Sequence, residues 1–522
     1  MTSVSEQTHT QQSVETSATL TRKLIRGSSL LTLGRVIAIV VNFAVQVITV
    51  RFLIKSDYGA FAYGLSIVSM GASFALFGLG RTLNRFAPLF QERREFGRMA
   101  GTVMLSLCCV TAIGLGVVVL VLAGQGFIGS TLVHDPLSLS LLLILIVLAP
   151  LKAVDSIFEE MFATFANPKA LFIRRHLVGP LLKLMCVLPL IFAHSDVRLL
   201  AISYLIGGVL GTGYSAIVLW SVLKKADLLK YFRRDSIQIP ARQVFGFSLP
   251  LMSTDLLVMA RIALVTVVLE FCHGALAVAA FRAVLPVARL NTFVAESFRL
   301  LFSPAISRMY ARGDVSSIDR VYWRTMAWIA VATFPLFLIC IGLSDVITIA
   351  LFGSEYADSS GILSLLATGF YLSSIVGFNN EILKAHGYVG RIFLTDMLTI
   401  ASAILLHLMF VPVWGPLGAA ASTTLVLLIR PIGNQITIYR LGLLREIDWG
   451  CMRLFLLMIQ ATVIAWLLPG QIGNSVTNQL LTTIVGSLVV LVAALPVLDI
   501  SHTFPELMRL SPFHNSIDAT ET

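Results

Sequence analysis

Charge is what this chain has least of. Only 13% of its 522 residues are Asp, Glu, Lys or Arg, about half the ~25% of an average soluble domain. Hydrophobic residues make up 57%, and the mean hydropathy is +0.87. So little polar material cannot cover the roughly three or four soluble domains that the length would allow. A typical soluble enzyme, a secreted disulfide scaffold and a disordered protein are excluded. Cysteine is also sparse. The six residues Cys108, Cys109, Cys186, Cys272, Cys340 and Cys451 fall mostly inside apolar runs without CxxC spacing, so they read as small hydrophobes. The nine histidines form no HxxxH or HxH pair, so no metal site is expected. No GxxxxGK[ST] loop occurs, which argues against ATP hydrolysis. No cofactor and no catalytic residue are expected.

What fills the chain is long apolar runs. The first, 27–50, follows Arg22, Lys23 and Arg26 and is too long for a signal-peptide core. Others lie near 59–80, 100–123, 138–163, 170–193, 199–222, 243–268, 274–300, 322–343, 360–383, 390–411, 416–438, 450–468 and 478–498. The expectation is an all-α integral membrane protein with 14 transmembrane helices, because hydrocarbon demands that backbone groups pair within each segment. With the N-terminus inside, cytoplasmic segments collect 27 of the 38 Lys and Arg residues. The outside loops hold three (Arg51, Lys55, Arg198) and the spans eight. This is the positive-inside pattern. It predicts two cytoplasmic termini and explains the net charge of +10 without nucleic acid.

The expected organisation is a disordered cytoplasmic tail over 1–21, rich in Ser, Thr and Gln, and six spans over 22–222. A basic cytoplasmic linker over 223–242, with Lys224, Lys225, Lys230, Arg233 and Arg234, comes next. Six further spans occupy 243–440, a last pair 441–498, and a cytoplasmic tail 499–522. The two six-span blocks echo each other. Gly27-x-Ser29-Leu30 matches Gly246-x-Ser248-Leu249, Gly59-Ala60 matches Gly274-Ala275, and Phe86-Ala87-Pro88 matches Phe302-Ser303-Pro304. Both blocks start inside, so they read as parallel repeats, a known transporter plan.

Several motifs carry a family resemblance. Arg51-Phe52-Leu53-x-x-x-Asp57-Tyr58-Gly59, Gly78-Leu79-Gly80, Arg85-Phe86, Leu351-Phe352-Gly353-x-Glu355-Tyr356 and Val411-Pro412-x-x-Gly415-Pro416-Leu417-Gly418-Ala419-Ala420 follow in order over roughly 20–440. In these the chain resembles the polysaccharide exporters of the multidrug/oligosaccharidyl-lipid/polysaccharide (MOP) flippase superfamily. The resemblance implies two six-helix lobes around a central cavity, with helices 13 and 14 added as a groove for the lipid tail. It implies translocation of undecaprenyl-pyrophosphate-linked oligosaccharide (an O-antigen, capsule or exopolysaccharide repeat unit) across the cell inner membrane by alternating access. The partners it implies are that cargo, membrane lipid, and a polysaccharide polymerase with its chain-length proteins, around a monomeric transporter.

An anionic cargo asks for fixed cations, and charges inside spans are costly enough to mark a pathway. Arg282, Arg289 and Glu296 recur every seven residues on one stripe, with Pro286 predicting a kink. Arg282 and Arg289 are expected to bind the pyrophosphate; the alternative is an interhelical ion pair. Arg35 and Arg261 are further expected substrate contacts. Arg51 either guides release at the outer mouth or pairs with Asp57. Arg299 and Arg430, near inner ends, read as snorkelling residues. Lys152, Asp155 and Glu159 share a face and can neutralise one another, and Lys183 is expected to pair with one of those acids or to face the cavity. Asp255 and Asp396, with the hydroxyls of Thr423 and Thr424, form a candidate site for a coupling ion, H⁺ or Na⁺; the bland alternative is that each acid pairs with an intramembrane arginine. Competing functions are a peptidoglycan-precursor flippase, a cation-coupled multidrug exporter, and, from another class, a membrane glycan polymerase, ligase or acyltransferase. The short outside loops and isolated His134, His194 and His273 disfavour the last, and eight intramembrane cations disfavour a mere scaffold.

Overall fold

The computed structural model describes residues 34–133, 135–165, 168–192, 196–232, 237–444, 448–472 and 476–498. Both predicted tails, Arg22, Lys23, Arg26, Gly27-x-Ser29-Leu30, and Arg233 and Arg234 of the linker lie outside these residues, as do His134 and His194. The described residues form helices and no strand. Among the described residues, ten helices are long and apolar enough to cross a membrane, and the chain is a multi-pass membrane protein.

It divides into two compact units, residues 1–263 and 264–522. The N-terminal unit holds α1 (Gly34–Phe52), α2 (Lys55–Leu76), α3 (Leu79–Glu92) and α4 (Phe96–Ala123). It continues with α5 (Pro136–Leu145), α6 (Leu148–Thr164), α7 (Pro168–Phe172), a π-helical segment (Ile173–Val178), α8 (Gly179–Val187) and α9 (Val197–Lys225). Helix α10 (Ala241–Ala288) begins in this unit and runs into the other. The C-terminal unit adds α11 (Leu290–Ala311), α12 (Val315–Gly342), α13 (Ser360–Val376), α14 (Asn379–Ala385), α15 (Val389–Arg440), α16 (Trp449–Ile472) and α17 (Val476–Leu498).

Local sequence sets the boundaries. Asp135 caps α5 by accepting from the Leu137 and Ser138 amides, with Pro136 in the first turn, where a missing N–H costs nothing. Asp196 caps α9 the same way. Helix continues past the expected run 59–80, as far as Glu92. The break comes earlier, at Gly78 (φ +68°), where an added Cβ would lie 2.6 Å from the Ser248 carbonyl oxygen and 2.8 Å from the Met252 nitrogen. Only glycine permits both that conformation and that approach. The start of α10 is therefore held within the N-terminal unit, with Phe77 edge-on to Phe245 and the Arg85 guanidinium over Phe247.

In the C-terminal unit α10 reverses at Gly274 (φ 72°) and α15 at Gly415 (φ 55°), so each carries two of the expected apolar runs. The two reversals are stapled together. His273 Nε2 lies 2.9 Å from the Val411 carbonyl, which the turn at Gly415 has robbed of its helical partner. The core of this unit runs from Tyr322, Phe334 and Phe337 of α12 to Tyr371 of α13, with Phe337 and Tyr371 stacked at 4.1 Å. The last helices seal its other side: Met458 takes the Tyr371 hydroxyl and the Cys451 thiol reaches the Trp323 carbonyl.

The repeat is visible inside each unit. An apolar helix breaks part-way, at Gly78 or at Arg289, and a second helix follows with a proline within it, Pro88 or Pro304. The break at Arg289 lies three residues after Pro286, the predicted kink site. Gly59 and Gly274 are not equivalent, since Gly59 is inside α2 and Gly274 is a reversal.

Candidate functional site

Charged side chains in apolar spans need partners, and in the N-terminal unit they find them across helices. Arg174 binds Asp155 through two nitrogens: Nε donates to Oδ1 at 3.1 Å and Nη2 to Oδ2. Nε also donates to Ser215 Oγ (2.8 Å), whose hydroxyl donates to Asp155 Oδ1 at 2.6 Å. The ions are 11% and 16% exposed. Glycines make the slot: a Cβ on Gly211 would lie 3.0 Å from Nη2, and one on Gly179 would lie 3.1 Å from Nη1. Arg174 sits in the π-helical segment just before Pro180. Proline donates no N–H to the preceding turn, which loosens it. Asp155 is thus neutralised by Arg174 from across the helices.

Two further pairs follow the same rule. Arg81 of α3 pairs with Asp255 of α10, and Asn84 donates to Glu160 of α6. Among the described residues the ammonium of Lys183 of α8 donates to Asn42 Oδ1 of α1 at 3.1 Å and to no carboxylate. Arg35 is half-exposed on α1. Arg51 is exposed at the end of α1, and Asp57 accepts from Ser56 at 3.2 Å. Gln46 donates to the buried Tyr58 hydroxyl at 2.5 Å, so the Asp57-Tyr58-Gly59 motif anchors a turn. Outside the spans, Lys230 donates to Asp227 Oδ2 at 2.5 Å, and that bond holds its ammonium pKa above the usual value.

In the C-terminal unit Arg282 is half-buried while Phe281, Ala283 and Val284 are fully buried. It therefore occupies the open side of α10. Arg289 is exposed at the break and engages no carboxylate among the described residues; its guanidinium stands 5.7 Å from the centroid of Phe370. Arg299 stands likewise over Phe378, at 5.5 Å. Arg289 keeps right-handed helical dihedrals and its amide still donates to the Leu285 carbonyl, so the stripe of Arg282, Arg289 and Glu296 bends there. Arg430 is not a simple snorkelling residue. Its Nε lies 2.7 Å from Asp396 Oδ1 and its Nη2 3.3 Å from Oδ2.

The four residues expected to hold a coupling ion are divided between the units. Asp255 belongs to the N-terminal unit and the others to the C-terminal one. Asp396 meets Arg430 across the two arms of α15, and Thr423 lies seven residues from Arg430, about 10 Å nearer the turn. Thr424 donates to the Leu365 carbonyl at 2.8 Å, and the Thr423 hydroxyl is buried without a partner among the described residues. Arg261 is half-buried in α10.

Sequence reasoning missed Arg174, Ser215 and Asn42. Arg174 stands at the start of the run 170–193, and the i,i+3 spacing of Lys152 and Asp155 offers a nearer partner. The glycines at 179 and 211, flanking a cation-sized gap, were the available signal. The motifs that carried the family resemblance prove to be turn devices. Gly353 (φ 100°) turns the chain between buried Phe352 and Tyr356, and Gly415 reverses α15.

The whole fold has solved counterparts. The chain is similar to the lipid II flippase MurJ in an inward closed conformation, with TM-score 0.66 and 14% identity over 92% of this chain and 99% of that one. It is also similar to the inward-facing conformation of a multidrug resistance MATE family transporter of the MOP superfamily, with TM-score 0.60 and 13% identity over 78% of this chain and 96% of that one. At such identities the likeness is one of fold, and the fold is that of MOP transporters. Curated protein sequences yield no match. The pattern of the polysaccharide biosynthesis protein family matches residues 24–310, more than half of the chain, and the protein belongs to that family.

Proposed function

We propose that this protein is a transporter, not an enzyme, that carries an oligosaccharide linked to undecaprenyl pyrophosphate across the cytoplasmic membrane by alternating access. The observation that carries this reading is Arg289: an exposed guanidinium in an apolar helical region, met by an aromatic ring and by no carboxylate among the described residues. A permanent cation so placed is suited to an anionic head group that comes and goes. Arg35, Arg261 and Arg282 are the other proposed phosphate contacts, and Arg51 the proposed contact at the outer mouth. Family membership supports a role in polysaccharide assembly, upstream of a polymerase and its chain-length proteins. Both termini are proposed to be cytoplasmic, and the working form a monomer.

The similarity to a lipid II flippase favours a second reading within the same chemistry, in which the cargo is a peptidoglycan precursor. A multidrug exporter of cationic compounds needs available carboxylates, and Asp155, Asp255 and Asp396 are each held by an arginine. A coupling ion, H⁺ or Na⁺, remains proposed at Asp255 and Asp396, with Thr423 and Thr424 as hydroxyl donors. It would have to displace an arginine, which links ion binding to motion. Deleting the gene and identifying the lipid-linked intermediate that accumulates on the cytoplasmic face tests the proposal. A trapped repeat unit of a surface polysaccharide supports it, a trapped peptidoglycan precursor supports the second reading, and no trapped lipid-linked glycan refutes both.

A further inference from the structure

Helix α9 presents an apolar face. Ile202, Ile206, Leu210, Ile217 and Trp220 are all exposed, and their spacings of three, four and seven residues keep them on one side. Such a surface on a spanning helix is better placed against acyl chains than against water. Where this face ends, a groove of about 470 Å³ opens, lined by Phe165 at the end of α6 and by Ile217, Val218, Val222 and Lys225 of α9. Its volume falls in the range of small-molecule sites, roughly 300–1,000 Å³.

The groove has a direction. Ile217 and Lys225 are eight residues apart, about 12 Å along the helix axis, which is less than one leaflet of a ~30 Å hydrocarbon core. Trp220 lies between them and is 63% exposed, as tryptophans at the membrane–water boundary are. Lys225 is exposed at the last position of α9, so the groove runs from a charged end at the membrane surface to an apolar end within one leaflet. That surface is the one proposed to be cytoplasmic.

The acids nearby are engaged elsewhere. Asp227, two residues after Lys225, accepts from Lys230. On α6, Asp155 pairs with Arg174, Glu160 accepts from Asn84, and Glu159 stands in the field of Arg174 and Arg175. Among the described residues Lys225 engages no carboxylate. The Ser221 hydroxyl donates to the Ile217 carbonyl at 3.0 Å, so it stays along the helix and leaves Lys225 to choose the head group. An apolar trough that ends on an ammonium complements an amphiphile with a hydrocarbon chain and an anionic head.

We propose that this groove holds an anionic phospholipid of the surrounding leaflet, with its phosphate on the Lys225 ammonium and one acyl chain along Phe165, Val218 and Ile217. The occupant is a resident membrane lipid and not the cargo, so the site stands apart from the transport reading.

The test is native mass spectrometry of the purified full-length protein with phosphatidylglycerol, and with phosphatidylcholine of the same chains as the net-neutral control. The wild type is expected to retain phosphatidylglycerol more strongly. Lys225→Gln is expected to weaken that binding about fivefold, the worth of one lysine beside an anionic membrane surface, with phosphatidylcholine unchanged, and Lys225→Arg is expected to preserve it. Ile217→Trp, at an exposed position, fills the trough and is expected to weaken both lipids; it carries the test should Lys225→Gln fail to fold. Lys224→Gln, one position round the helix and outside the groove lining, is expected to leave binding unchanged. If Lys224→Gln weakens phosphatidylglycerol as much as Lys225→Gln does, the attraction belongs to the charged surface at large and the site is refuted. A wild type that does not distinguish the two phospholipids refutes it as well. Displacement of phosphatidylglycerol by an equimolar amount of undecaprenyl pyrophosphate would make the cargo the occupant and overturn the proposal, with the transport reading intact.

Discussion

Replacing Arg174 by Met should be among the most damaging single changes in the N-terminal unit. The side chain is 11% exposed and makes three hydrogen bonds, two to Asp155 and one to Ser215. Met fills most of the slot between Gly179 and Gly211, so packing loss is small. What remains is the Asp155 carboxylate, 16% exposed, with the Ser215 hydroxyl as its one remaining partner from the knot. An uncompensated buried charge costs about 3–5 kcal/mol. Ser215→Ala removes one hydrogen bond to each ion and should cost about 1–2 kcal/mol. The double replacement Asp155→Leu with Arg174→Met removes both charges and should recover most of the loss, giving a coupling of at least ~2 kcal/mol in a double-mutant cycle. Equilibrium unfolding in mixed micelles, followed by circular dichroism, measures these three variants and Asp155→Leu, which closes the cycle. Single replacements that cost under about 1 kcal/mol, or that simply add, would refute the view that this pair organises α6, α9 and the π-helical segment.

Three further outcomes are expected. Gly78→Ala puts a Cβ 2.6 Å from the Ser248 carbonyl oxygen at φ +68°; strain and crowding should cost about 2–4 kcal/mol, read as reduced yield of folded protein and a lower melting temperature. His273→Ala orphans the Val411 carbonyl and should cost about 1–3 kcal/mol, with His273→Gln recovering part of it in the same melting assay. Arg289→Gln should lower export of the lipid-linked glycan at least about tenfold, the worth of a charged hydrogen bond, with the melting temperature unchanged; a normal export rate in complementation would remove Arg289 from the pathway.

The fold was legible because its signals are local. Apolar run length and Lys and Arg placement each act within a few residues of where they are read. The reversals at Gly274 and Gly415 were legible as loops between runs for the same reason. The ion pairs were not, because their partners lie far apart in the chain. Asp155 and Arg174 are 19 residues apart, Asp396 and Arg430 34, and Arg81 and Asp255 174. Spacing along one helix offered Lys152 as the partner of Asp155, whereas the packed structure prefers a bidentate arginine in a glycine-lined slot. A bend in the stripe through Arg282 and Arg289 was legible in Pro286, while its place at Arg289 was not.

Transport itself is the most direct test of the central claim. The full-length protein would be reconstituted into liposomes carrying a fluorescent undecaprenyl-pyrophosphate oligosaccharide in both leaflets, and a membrane-impermeant glycosidase added outside. The account predicts that the protected half of the label becomes cleavable with time in wild-type vesicles and remains protected with Arg289→Gln. Protection that persists in wild-type vesicles, whether or not H⁺ or Na⁺ gradients are imposed, would contradict it.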